Sequence, residues 1–196
     1  MEVKISNPRA IKAAASLANG GYTTSVFQIR REEGSARVSG TNGYASISVL
    51  VPATFSRWPE GKSLTFGGDG VRSMMRGIGR SLKSAETASL SFLREGTVTA
   101  SAESEGTTTQ TRFDVRKDRF LDKLADYDWT RGKPPANAEG GKVHPHSMKI
   151  ASQAFEYLSL DMPVELQASD DGRTYAMTAD DGDIHACAVI VRSRYS

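Results

Sequence analysis

At 196 residues, with 38% hydrophobic and 24% charged residues, the chain is long enough to bury a core and has the composition of a globular protein, which excludes a disordered class. A net charge of +2 is too mild to mark a nucleic-acid binder by itself, so any basic surface has to come from where the charges stand. No apolar run approaches the roughly 20 residues that span a bilayer, the start MEVKISNPRA lacks a signal-peptide pattern, and one cysteine, Cys187, excludes an internal disulfide.

In chain order, VKIS reads as a short strand and the following segment as a helix, with Asn7 as N-cap and Pro8 at the first helical position. Asn19, Gly20 and Gly21 stop it. Alternating apolar and polar residues then predict three strands with turns at Glu33-Gly34 and Asn42-Gly43, ending at Pro52.

The same order recurs. KSLTF is a strand, DGVRSMMRGIGRSLKS (Asp69 to Ser84) is one helix, and ASLSFL, TVTASA and TTQTRFD are strands parted by Glu95-Gly96 and Glu105-Gly106. A third copy begins at Lys142 with KVHP, a helix over about 147–158, then PVELQAS, RTYAMTA and IHACAVIVR with turns at Asp171-Gly172 and Asp181-Gly182. Each unit occupies about fifty residues, a period that signals architecture.

The predicted class is therefore α+β: three β-α-β-β-β units with antiparallel sheets and one helix per unit. Units one and two (about 1–60 and 61–117) form one domain, residues 118–141 a connector, and 142–196 a half-domain. The connector carries apolar anchors at Phe120, Leu121 and Leu124 and is Pro- and Gly-rich from Arg131 to Gly141.

On a helical wheel, Val71, Met75, Ile78 and Leu82 gather in one sector, and Arg72, Arg76, Arg80 and Lys83 in another centred roughly 135 degrees away. The first helix repeats this weakly: Ile11, Ala15 and Ala18 face one way, and Arg9, Lys12 and Ser16 the other. The third helix opposes Ile150, Ala151, Ala154 and Leu158 to a nearly neutral face of Lys149, Ser152, Gln153 and Glu156. Four cations in line with no i,i+4 carboxylate repel one another, which points to a polyanion opposite them.

Chemistry finds little support. His144, His146 and His185 have neither the spacing nor the neighbours of zinc ligands, and DDGDIH lacks the length and closing Glu of a calcium loop. GGDG at Gly67 to Gly70 has no phosphate-loop Lys in register, and no Ser, Thr or Cys stands in a nucleophile elbow. Cys187 reads as a buried structural thiol, and the loop residues Trp58 and Trp129 as covers for a core edge. No enzyme, no cofactor and no metal are expected.

Three such units with basic helices, together with VSGTNGYASISVLVPA, resemble the bacterial replicative sliding clamp, the β subunit of DNA polymerase III. Thr41, Asn42 and Gly43 leading to Val51, Pro52 and Ala53 are similar to that family's T-D-G strand and closing V-P-A. DRFLDKLADYDW ends in Asp128 and Trp129 like a segment there, without its proline. Val189, Ile190, Val191 and Arg192 stand where clamps carry a closing V-M-P-M-R.

The resemblance implies a ring whose helices face the backbone of duplex DNA and whose sheets form an outer wall joining subunits. It makes Arg72, Arg76, Arg80, Lys83, Arg9 and Lys12 the phosphate contacts, without sequence reading, and Val189 to Arg192 a partner-binding strand. Family rings hold twelve units, so three per chain imply a homo-tetramer. The expected function is a cytoplasmic, membrane-free processivity factor that tethers a DNA polymerase or recombinase client. The alternative is a phage-type clamp-fold adapter that regulates such a protein without encircling DNA.

Overall fold

The computed structural model describes residues 1–19, 24–60, 62–93, 96–115, 145–158, 163–168 and 174–191. The elements in order are β1 (Glu2–Ile5), α1 (Pro8–Ala18), β2 (Val26–Glu32), β3 (Ser35–Thr41), β4 (Ala45–Ser56), β5 (Ser63–Gly67) and α2 (Gly68–Ile78). A single 3-10 turn (Ser81–Lys83) leads to β6 (Thr87–Phe92), β7 (Thr97–Ser104), β8 (Thr107–Asp114), α3 (Pro145–Leu158), β9 (Glu165–Ala168), β10 (Thr174–Asp181) and β11 (Ile184–Val191). The class is α+β, with every described strand pair antiparallel.

Local chemistry explains the ends of these elements. Asn7 Oδ1 accepts the Arg9 N–H at 3.1 Å and Pro8 opens α1. Glu33 and Gly34 (φ 28° and 81°) and Glu105 and Gly106 (φ 41° and 77°) take the left-handed conformations that a two-residue hairpin turn needs. At the β3–β4 turn, Asn42 Oδ1 accepts the N–H groups of Tyr44 and Ala45, both at 2.9 Å, and the Thr41 hydroxyl donates to the Ala45 carbonyl at 2.9 Å.

The strands do not stay within the sequence units. β1 lies between β4 and β6, and β5 pairs with β2 rather than with β6. Each of the first two helical segments thus has its leading strand built into its neighbour's ladder. The last three strands, β9-β10-β11, join the same sheet through β11 against β4.

Pro52 does not end β4, contrary to the expectation from sequence. The β11 ladder stops at Leu50 and the β1 ladder begins at Ala53. Pro52 stands in the gap between them, where a backbone N–H would have no strand opposite it. Its carbonyl accepts the Ser6 N–H at 3.2 Å and the Ser6 hydroxyl at 2.9 Å, so the strand runs on to Ser56.

One face of the sheet carries the core. Phe27, Ile29, Val38, Ile47 and Val49 are fully buried beneath the helices. Gly40 lets α1 touch the sheet backbone, since a Cβ there would lie 1.9 Å from the Ala14 carbonyl oxygen. The rings of Phe27 and Phe66 stand 4.9 Å apart and those of Phe66 and Phe113 5.6 Å, linking β2, β5 and β8 beneath α2.

Other expectations fare variously. Trp58 is buried, with its Nε1–H donating to the Lys62 carbonyl at 2.8 Å, in the role of a core-edge cover. Cys187 is half-buried rather than buried. The connector 118–141 with its anchors, the strand at Lys142, Gly20 and Gly21, the Asp171-Gly172 turn, His144 and Trp129 lie outside the described residues.

Candidate nucleic-acid interface

The predicted helix from Asp69 to Ser84 is two elements. α2 ends at Ile78, Gly79 N–H donates to the Met75 carbonyl at 3.0 Å, and the chain resumes as the 3-10 turn. Gly77 and Gly79 weaken the last helical turn, and Gly77 is required by packing, because a Cβ there would lie 2.3 Å from Thr111 Cβ on β8. Arg72 and Arg76 therefore stand on α2, Arg80 in the turn and Lys83 on the 3-10 segment.

Val71, Met74, Ile78 and Leu82 pack inward, with Met75 only half-buried, and Arg76, Arg80 and Lys83 are exposed. Arg72 pairs with Asp69, the acidic residue of the first turn. Among the described residues no carboxylate pairs with Arg76, Arg80, Lys83 or Arg9.

α1 departs from its wheel. It is covered on nearly every side, and Lys12 is only 7% exposed. The cause is α3, which lies along the side of α1 that the wheel gave to solvent: the Lys12 ammonium sits 4.8 Å from the centre of the Tyr157 ring. Burial, and then the charge of Lys83, hold the Lys12 amine below its usual range. Lys83 of the second unit is thereby brought beside Arg9 and Lys12 of the first, around a recess of about 330 Å³ that Glu156 and Tyr157 also line.

The six predicted contacts thus divide. Arg72, Arg76 and Arg80 follow α2 and its exit, while Arg9, Lys12 and Lys83 surround the recess. Sequence reasoning missed Glu156 and Tyr157. The available signal was α1 itself, AIKAAASLA, in which only Lys12 and Ser16 are polar, a pattern that suits a helix covered on most sides.

Val189 and Ile190 are buried within β11, between β10 and β4, so their side chains are already covered within the chain. Val191 ends that strand, and Arg192 lies outside the described residues. His185 pairs with Asp180 across the β10–β11 hairpin, whose turn is Gly182 and Asp183, one residue later than the sequence expectation, since Asp181 still pairs with Ile184. Among the described residues no cluster of His, Cys, Asp and Glu could hold a metal, and no helix is long and apolar enough to cross a membrane.

No protein-family model and no curated protein matches the sequence. Solved structures do. The DNA polymerase III β subunit of Thermotoga maritima superposes with a TM-score of 0.57 at 11% identity, over 100% of this chain and 65% of its own. PCNA of A. fulgidus, solved with the C-terminal region of FEN-1 bound, gives 0.55 at 10% identity over the whole of both chains. The fold is that of the DNA sliding clamps.

A putative β subunit from Eubacterium rectale gives the same TM-score, 0.57, at 12% identity and 66% of its length. The chain therefore spans about two thirds of the bacterial clamp subunits it matches and the full length of the archaeal PCNA chain. With identities this low, the likeness establishes the clamp architecture, and the cations of this chain have to be read on their own chemistry.

Proposed function

We propose that the chain is a sliding-clamp-like processivity factor that encircles duplex DNA and tethers a polymerase or other DNA-acting client. The observation that carries this reading is the run of cations at Arg76, Arg80, Lys83 and Arg9, none paired with a carboxylate among the described residues, on the helices and turn of a clamp fold. Long exposed cationic side chains reach phosphates without reading bases, and weak, salt-screened contact of that kind permits sliding. No bond chemistry is asked of any residue.

The edges of the sheet support the ring reading. The path β8-β7-β6-β1-β4-β11-β10-β9 is continuous, β3, β2 and β5 branch from it at β4, and among the described residues β5, β8 and β9 each have one strand partner only. The open edges at β8 and β9 suit head-to-tail pairing with further copies. Twelve units at three per chain make four copies, a tetramer of about 85 kDa from chains of 21.2 kDa.

Changing Arg72, Arg76, Arg80 and Lys83 together to Glu tests the DNA reading. Duplex affinity at low salt falls, and the log–log salt slope shrinks by about 0.9 for each phosphate no longer neutralised. Unchanged affinity and slope would overturn it. Retention on nicked circular duplex and release on linearisation tests encirclement, and a monomer by light scattering at every concentration would instead favour an adapter that binds a DNA-acting protein without a ring.

A further inference from the structure

We infer that Arg9, Lys12 and Lys83 form a discrete seat for a single phosphate group, distinct in kind from the exposed stripe on α2. Three cations from two helical segments, α1 and the 3-10 turn, converge on one recess of about 330 Å³, against one carboxylate, Glu156. Lys12 is the decisive member. The residue as a whole is more than nine-tenths buried, and its ammonium, 4.8 Å from the centre of the Tyr157 ring, has no hydrogen-bonding or carboxylate partner among the described residues.

An ammonium whose stem lies buried against a ring loses part of its hydration, and an anion or acceptors offset that loss. A ring face offsets part of that cost, and Lys83 adds to it by repulsion. An anion in the recess meets all three charges at once. A phosphate suits them because its oxygens accept from several directions, whereas a carboxylate presents two oxygens in one plane.

The seat also differs from the stripe in geometry: Arg76 and Arg80 follow one another along an exposed face, whereas Arg9, Lys12 and Lys83 line a single recess. For a backbone phosphate as its source the seat rests on the nucleic-acid reading above. For a free phosphate it does not.

The test is a titration of the full chain with inorganic phosphate at low salt, followed by phosphorus NMR linewidth, beside duplex binding by fluorescence anisotropy. Saturable binding is expected, weakened roughly tenfold or more in Lys12→Met and several-fold in Lys83→Gln, and retained in the Arg72→Gln/Arg76→Gln double variant. No saturation in the wild type, or wild-type binding by both Lys variants, overturns the seat. Lys83 is exposed, so Lys83→Gln carries the test if Lys12→Met does not fold, and unchanged binding by it alone then overturns the seat.

The duplex arm separates the sources. Weaker duplex binding by Lys12→Met assigns the seat to a backbone phosphate, and unchanged duplex binding assigns it to a free one. Wild-type protein that binds phosphate saturably but no duplex leaves the seat standing and removes the clamp reading. Protein that binds duplex without saturable phosphate does the reverse.

Discussion

Lys12 shows what a single side chain can disclose. Its amine is held below the usual 10.5 by burial first and by Lys83 second. Between the depressed folded value and 10.5 the unfolded chain binds more protons than the folded one, so stability rises with pH through that window and the penalty is full below it. Lys12→Met, which keeps the stem's volume and removes the charge, is expected to raise the melting temperature at neutral pH and to flatten the alkaline rise. Thermal melts of both proteins between neutral pH and 10.5 check it, and a parallel rise in the two would refute it.

Glu103 has the opposite sign. Hydrogen bonds from Lys4 Nζ at 2.8 Å and Thr87 Oγ1 at 3.0 Å hold its carboxyl below the usual range, so its contribution is present above the unfolded value and lost as pH falls through the folded one. Its ion pair with Lys4 is exposed, so added salt should erase most of the effect. Acid denaturation of Glu103→Gln at low and high salt reads this: the variant's midpoint should differ from the wild type's only at low salt.

At the scale of elements, turns were readable and neighbours were not. Glu33-Gly34 and Glu105-Gly106 announce themselves because few residues other than glycine accept a positive φ. The boundary of α2 was misread because a wheel shows faces, not the two glycines that let Ile78 be the last helical residue. The cover over α1 was invisible for a different reason: a wheel assigns polar residues to solvent and has no means of placing a second helix, α3, against them. Of the candidate site, the cations were legible and their grouping was not, since Lys83 reaches Lys12 only through folding.

Gly40 and Phe66 test how tightly these elements are held. Gly40→Ala puts a methyl into the Ala14 carbonyl, a backbone atom that cannot swing aside, and is expected to cost more than about 2 kcal/mol. Phe66→Ala opens a cavity between two other rings at a cost of about 3–5 kcal/mol. Urea unfolding midpoints check both, and a loss below about 1 kcal/mol at either site would contradict the packing described.

The whole molecule adds a property that no segment has: a wall that branches at β4 and ends at β5, β8 and β9. Leu166, 57% exposed on β9, lies on one of them. Leu166→Lys should leave the melting temperature nearly unchanged, because the side chain is already in water, and should lower the mass seen by light scattering if that edge joins copies. An unchanged oligomer would place the joint elsewhere. The partner exchange of β1 and β5 could not be read from sequence, because equal strands in successive units are interchangeable to a periodicity count and only the fold decides whose ladder each one enters.

β4 gives the wall a last consequence. Along its twelve residues it holds β3 on one side, and on the other β11 and then β1. A force drawing the wall's ends apart has to pass across that one strand, and a slip of one residue in it would unseat three neighbours together. The amides of Ile47 to Val51 should accordingly be the slowest in the protein to exchange with deuterium, and a closed hoop of such chains should part between copies before it tears within one.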